Sequence, residues 1–299
     1  MIPTLAREGD VVFSDALNHA SVVDGCRLAR AETFVYDHGD VEQLEWGLSQ
    51  AEGRGSLIVT DGLFSMDGDV APLQQVVELA RRYDVRVMVD EAHATGTLGP
   101  GGRGSVAAAG LEDEVDVLVG TLSKSLGSYG AFVCCDKTLA KYLVNSARTL
   151  IFSTALPPPE VAAAMAALAL LRDQPRRVEK LQRNAQVLRE ALADEGLPVD
   201  PSGTHIVPLV VGEAGAAMAA CEQALEQGVF AQAIRPPTVP AGTSRLRLSV
   251  MASHTKSELK NAALALAAAV PRGVPLPEPA PVAPEGAEGR VFDQLIDAA

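Results

Sequence analysis

Two short clusters in this 299-residue chain carry reactive side chains at a spacing that suggests one site. Asp90-Glu91-Ala92-His93 follows the apolar run Val85-Arg86-Val87-Met88-Val89. Thr121-Leu122-Ser123-Lys124-Ser125-Leu126-Gly127 follows Val115-Asp116-Val117-Leu118-Val119. Both apolar runs read as strands, and in parallel α/β sheets ligands bind beyond the carboxyl ends of the strands. An acid, an imidazole and an amine converging there suit pyridoxal phosphate chemistry. A lysine amine, with an ordinary pKa of roughly 10.4, must be neutral to form an imine with the cofactor aldehyde. A carboxylate beneath the pyridine nitrogen keeps that nitrogen protonated, and so keeps the ring an electron sink. Hydroxyls beside the lysine hold a phosphate without adding charge. Either cluster alone also fits a solvated loop or a surface turn; their order and placement in one sheet favour the site.

Those clusters need a scaffold to position them. Leu57-Ile58-Val59-Thr60 adds a strand, and residues 72–83 read as a crossover helix with Pro72 near its first turn. Residues 130–135 add another strand and 137–147 another helix. Strand–helix–strand order predicts right-handed crossovers and a largely parallel sheet. From Pro157-Pro158-Pro159 a helical stretch is expected to run past Pro175 to about Gly196. Beyond it come a strand over 206–211, a helix over 213–227 and a strand over 245–250. A last helix starts at Thr255, with Glu258 placed to close a capping box. The reading is α/β: a large domain over residues 1–171 and a smaller α+β domain over 172–270. Residues 271–299 are rich in Pro, Ala and Glu and read as a flexible tail, with a short docking helix at 291–296.

Composition narrows the class. With 47% hydrophobic residues the chain can bury one large core or two moderate ones. A net charge of −13 with no basic run argues against nucleic-acid binding. No apolar stretch reaches the roughly 18 residues that cross a bilayer, so no membrane partner is expected. Met1-Ile2-Pro3-Thr4 lacks the regions of a signal peptide, and a cytoplasmic protein is expected. Cys26, Cys134, Cys135 and Cys221 show no paired metal-ligand spacing and read as reduced packing residues, Cys134 and Cys135 facing opposite sides of a strand.

Four segments together resemble the α-oxoamine synthases: Asp15-Ala16-Leu17-Asn18-His19-Ala20-Ser21, Asp61-Gly62-Leu63-Phe64-Ser65-Met66-Asp67-Gly68-Asp69, Asp90 to His93, and Thr121 to Gly127. The resemblance extends over residues 9–270. It implies a fold-type I pyridoxal-phosphate transferase, with a mostly parallel sheet, helices on both faces and a smaller C-terminal domain. It implies condensation of an amino acid with an acyl thioester and loss of carbon dioxide. By the same resemblance Lys124 is the Schiff-base lysine and the Cα base, and Asp90 pairs with the pyridine nitrogen. His93 and Ser65 bond the phenolic oxygen, Thr121 meets the phosphate, and His19 stacks on the ring. Ser153 and Thr154 resemble a segment that reaches the neighbouring subunit's phosphate, which implies a homodimer.

The segment Arg235-Pro236-Pro237-Thr238-Val239-Pro240-Ala241-Gly242-Thr243-Ser244-Arg245-Leu246-Arg247-Leu248 is most similar to members that join L-alanine to a pimeloyl thioester. It implies that Arg247 grips the α-carboxylate and that Thr238 contacts substrate; Arg245 shares the strand face of Arg247, only one arginine need enter the site, and Arg245 reads as a strand-face ion pair. Members taking glycine with acetyl-CoA, or serine with a long acyl chain, are the enzymatic alternatives. Family members also carry a segment ahead of the one that opens here. The chain is therefore read as a fragment, a late start or a degenerate copy, and a catalytically incompetent fold is the further alternative.

Overall fold

The computed structural model describes residues 1–51, 53–271 and the backbone of 290–291. The described residues form two compact units, one of residues 1–64 and 70–174, the other of residues 65–69 and 175–271. The expected helix at 291–296 lies outside the described residues, apart from Val291.

The first unit begins with α1 (Ile2–Leu5), β1 (Val11–Asp15), α2 (Ala20–Ala29), β2 (Glu32–Tyr36) and α3 (Val41–Gln50). β3 (Ser56–Asp61), α4 (Leu73–Tyr83), β4 (Arg86–Asp90), α5 (Ser105–Ala109) and β5 (Val117–Thr121) follow. It closes with β6 (Ala131–Cys135), α6 (Lys137–Ser146), α7 (Arg148–Ile151) and α8 (Pro158–Asp173). The strands β2-β1-β3-β4-β5 pair in parallel in that order, and β6 adds antiparallel to β5. Residues 290–291 pair antiparallel with β2.

Alternation along the strands explains why both sheet faces carry helices. Val11, Phe13, Ile58, Val87 and Val89 pack with Leu44 and Leu48 of α3 and with Leu73, Val76, Val77 and Ala80 of α4. Val12, Leu57, Val59, Met88 and Val117 face the other way, onto Ile2, Val22, Cys26 and Ala29. Strands buried on both faces read as continuous apolar runs, as β1 and β3 do. The spacing of Leu73, Val76, Val77 and Ala80 is one stripe of a helix, which is why the α4 segment cannot settle as a strand. β5 starts at Val117 rather than Val115, because the Asp116 carboxylate turns to accept the Val87 N–H at 2.8 Å.

The helix expected to run through Pro175 is two helices. α8 ends at Asp173, and Pro175 stands ahead of the next helix, since proline lacks the N–H that would continue the ladder. Cys134, expected to be a packing residue, is exposed in β6, while Cys26 is buried and its thiol is pushed up to about 11 by that burial.

The second unit contains α9 (Arg176–Asp194), β7 (Ile206–Gly212), α10 (Ala214–Glu226), β8 (Gln232–Ile234), β9 (Ser244–Ser249) and α11 (Lys256–Ala269). Its sheet is antiparallel, in the order β7-β9-β8. Leu181, Leu188, Leu192, Leu209, Leu246 and Leu266 share its core. Thr255 and Glu258 form the expected capping box on α11. Residues 65–69 join this unit through side chains. Thr204 Oγ1 donates to Gly68 O at 2.7 Å, and Arg245 forms an ion pair with Asp67. Gly68 has φ +74°, and a Cβ there would stand 2.4 Å from Ile206 O, so the strip fits only as glycine.

One buried carboxylate fixes the loop after β4. Glu91, 2% exposed, accepts the Ser105 N–H at 2.9 Å and the Val106 N–H at 2.8 Å, holding the start of α5. Burial still raises the Glu91 pKa, more than those bonds lower it. Glu91→Ala leaves two buried N–H groups without partners and should cost about 3 kcal/mol or more in urea unfolding, whereas Glu91→Gln retains an acceptor and should cost less.

Candidate active site

Parallel pairing places the C-terminal ends of β3, β4 and β5 side by side. Asp61 is the register partner of Asp90, and Asp90 that of Val119, two residues before Thr121. A cavity of about 260 Å³ opens there, lined by His19, Asp61, Asp90, His93, Thr121 and Lys124 among others. A second opening, about 320 Å³ at the start of α4, has no titratable side chain in its lining, so volume alone does not mark the site.

Each group reaches the cavity for a local reason. His19 is the N-cap of α2, where its Nδ1 accepts the Ser21 N–H at 3.2 Å. Asn18 secures the turn before it, donating to Val59 O at 2.8 Å and accepting the Asp61 N–H at 2.7 Å. Asp90 accepts the Ala92 N–H at 2.8 Å, a tight turn off the end of β4. Thr97 Oγ1 donates to His93 O at 2.6 Å and closes the His93 loop. Lys124 lies in the exposed turn between β5 and β6, closed by Gly127 N to Lys124 O at 3.0 Å and Ser128 N to Leu122 O at 2.8 Å. Thr121 Oγ1 and Ser123 Oγ lie 2.7 Å apart beside it. Ser125 Oγ donates to Thr95 O at 2.6 Å, tying the Lys124 turn to the His93 loop.

The electrostatics favour a cationic guest beside Asp90. Burial raises the Asp90 pKa, against the opposing pull of the Ala92 N–H, Lys124 and His19. Asp61 is pushed up to about 8, first by burial and then by the charge of Asp90. A protonated pyridine nitrogen would restore the ionised form of Asp90. With an amine, paired hydroxyls and two imidazoles on the same lining, the donor set fits pyridoxal phosphate. Among the described residues no cluster of three His, Cys, Asp or Glu is placed to hold a metal ion.

The structure thus brings His19, Asp90, His93, Thr121 and Lys124 together. Ser65, Thr238 and Arg247 belong to the second unit. There Arg247 Nη1 donates to Ser65 O at 3.3 Å, its Nε is buried without a partner, and Thr238 is exposed. Arg245 makes the structural ion pair expected of it, with Asp67. Ser153 and Thr154 are exposed, after α7, and are not part of the cavity lining. Sequence reasoning assigned no role to Asp61, although it ends an apolar strand at the same edge as Asp90.

The family model for aminotransferase class I and II matches residues 1–266. An 8-amino-7-oxononanoate synthase of Lysinibacillus sphaericus is 48% identical over 260 residues, covering 87% of this chain and 67% of that protein. A serine palmitoyltransferase solved with its pyridoxal phosphate internal aldimine superposes with a TM-score of 0.86 at 36% identity, covering 90% of this chain and 68% of that one. An 8-amino-7-oxononanoate synthase from Francisella tularensis gives a TM-score of 0.77 at 28% identity, covering 89% and 77%. Cavity, sheet and sequence agree: the chain belongs to the aminotransferase class I and II family and, within it, to the pyridoxal-phosphate-dependent α-oxoamine synthases.

Proposed function

We propose that this chain is an acyltransferase that condenses L-alanine with a pimeloyl thioester, of CoA or of acyl carrier protein, to 8-amino-7-oxononanoate. Carbon dioxide and the free thiol leave, and the product serves biotin synthesis. The observation that carries this reading is the convergence of Lys124, Asp90, His93 and His19 on one cavity, in a chain about half identical to 8-amino-7-oxononanoate synthases. The serine palmitoyltransferase likeness supports the shared backbone, and the higher identity to the synthases favours alanine as the amino acid.

Pyridoxal phosphate, when bound, supplies an aldehyde for amine capture and a protonated ring that accepts the electron pair left at Cα. The chain's residues do the rest. Asp90 would hold the proton on the ring nitrogen, and His19 would stack on the ring. His93 and Ser65 would hold the phenolic oxygen, and the Thr121 hydroxyl would hold the phosphate. Lys124 Nζ takes the Cα proton from alanine and returns one after carbon dioxide has left. Arg247 grips the α-carboxylate, with its unpartnered Nε as a free donor. Thr238 contacts the substrate beside it.

Two copies complete the assembly in this proposal, with Ser153 and Thr154 reaching the neighbour's phosphate. The exposed run Leu150, Ile151 and Phe152 beside them supports a second copy as the partner. Among the described residues no helix is long and apolar enough to cross a membrane; a cytoplasmic location is part of the proposal.

Lys124→Ala should lose the visible absorbance of lysine-bound pyridoxal phosphate and at least about a thousandfold in alanine-dependent CoA release. Retention of that absorbance would show that another amine holds the cofactor. Arg247→Lys keeps the charge but not the two-pronged grip, and should raise the KM for alanine roughly tenfold or more. Alanine, glycine and serine assayed against pimeloyl-CoA and acetyl-CoA test the substrate choice; preference for glycine with acetyl-CoA would sink it.

A further inference from the structure

Three adjacent strands end in a carboxylate, Asp15 on β1, Asp61 on β3 and Asp90 on β4, and the last two line the cavity. Their partners differ sharply. Asp15 accepts the Leu17 N–H at 2.8 Å and the Gly39 N–H at 2.9 Å, and pairs with His38 Nδ1 at 3.0 Å. Asp90 has the Ala92 N–H. Asp61 is 4% exposed, is the register partner of Asp90, and accepts a long bond from the His19 N–H at 3.5 Å. Two anions this close in a buried setting cannot both be held ionised without compensation, and the proton favours the more buried one with the longer, weaker hydrogen bond.

We infer that Asp61 is a neutral carboxylic acid in the working site, a positioning residue that leaves Asp90 as the one anion facing a bound pyridine nitrogen. This rests on the pyridoxal phosphate reading and adds a residue to it. A second negative charge at Asp61 would repel the substrate's α-carboxylate and the cofactor's phosphate. The charged and titratable groups around it are Asp15 with His38 and Tyr36 on one side, and Asp90, His19, His93 and Lys124 on the cavity side. Burial and the charge of Asp90 push Asp61 up to about 8, with Lys124 and the His19 N–H pulling the other way.

The sign of the pH dependence follows from proton counting. Between the ordinary value of 3.8 and about 8, the unfolded chain has lost the Asp61 proton while the folded chain keeps it. Folding therefore weakens as pH rises through that window, by about tenfold in equilibrium constant per pH unit for one proton. Asp61→Asn cannot ionise and removes this term.

The test is urea unfolding of the full chain freed of pyridoxal phosphate, wild type against Asp61→Asn, from pH 5 to 8. The ratio of unfolding constants should shift by about tenfold per pH unit in favour of the variant. A carboxyl carbon-13 titration of the wild type, with Asp61 assigned by its displacement in Asp61→Glu, gives a readout that does not depend on Asp61→Asn folding. Asp61 should titrate near pH 8, and stay protonated at pH 7 with pyridoxal phosphate bound. A constant stability ratio, or titration near the ordinary carboxylate range, overturns the inference. A wild type that gives no lysine-bound absorbance while Asp61 still titrates high would overturn the cofactor reading and the positioning role with it, leaving the neutral acid standing.

Discussion

Parallel, in-register pairing of β1, β3, β4 and β5 is the constraint on which the site depends. Both faces of these strands are covered by helices, so their interiors are apolar and admit no charge. Charged groups can enter the first unit's core only where the ladder stops. Because the strands run the same way, those stopping points share one edge, and Asp15, Asp61, Asp90 and Thr121 gather there. The site is thus a consequence of sheet topology before it is a matter of individual side chains.

Gathering carboxylates at a buried edge is costly, and the loops that leave the strands offset part of that cost. Asp15 and Asp90 use the same device, each accepting the N–H two residues on in its own turn. Glu91 reaches across to α5. Close fit then holds the loops to one another. At Gly96, with φ +79°, an added Cβ would stand 2.4 Å from Ser125 Oγ, the hydroxyl that binds Thr95 O. The loop that carries His93 and the turn that carries Lys124 therefore fit only because Gly96 has no side chain.

The ends of β4 and β5 were legible in the sequence because strong apolar runs stop abruptly at Asp90 and Thr121. β1, β2, α2 and α3 were not read as elements. Val11-Val12-Phe13-Ser14-Asp15 is short and ends in polar residues, and Glu32-Thr33-Phe34-Val35-Tyr36 begins with one, so neither stands out without its neighbours. Asp61 was visible as a residue but not as an acid with a role, since its environment comes from Asp90, Asp15 and His19, all distant in sequence. His19 shows the opposite case. Helix capping and cavity lining look like competing roles in a sequence, yet one imidazole does both, with Nδ1 on the Ser21 N–H while the ring borders the cavity. The break at Pro175 was in plain view; helix-forming residues on both sides, Ala-rich before it and charged after it, masked it.

The two arginines of β9 differ in burial and in unused donors, which distinguishes a strut from the group proposed to bind substrate. Arg245 and Arg247 alternate onto one strand face, and pattern alone treats them alike. Arg245 is 5% exposed; Nη1 meets Asp67 and Nε donates to Thr243 O at 3.1 Å, so its charge is matched within the fold. Arg247 touches a neutral carbonyl, Ser65 O, and retains a buried Nε with nothing to receive it. Burial lowers its pKa. A guanidinium in that condition gains from an incoming carboxylate what Arg245 already draws from Asp67, and this difference supports the proposal that Arg247 takes the anion.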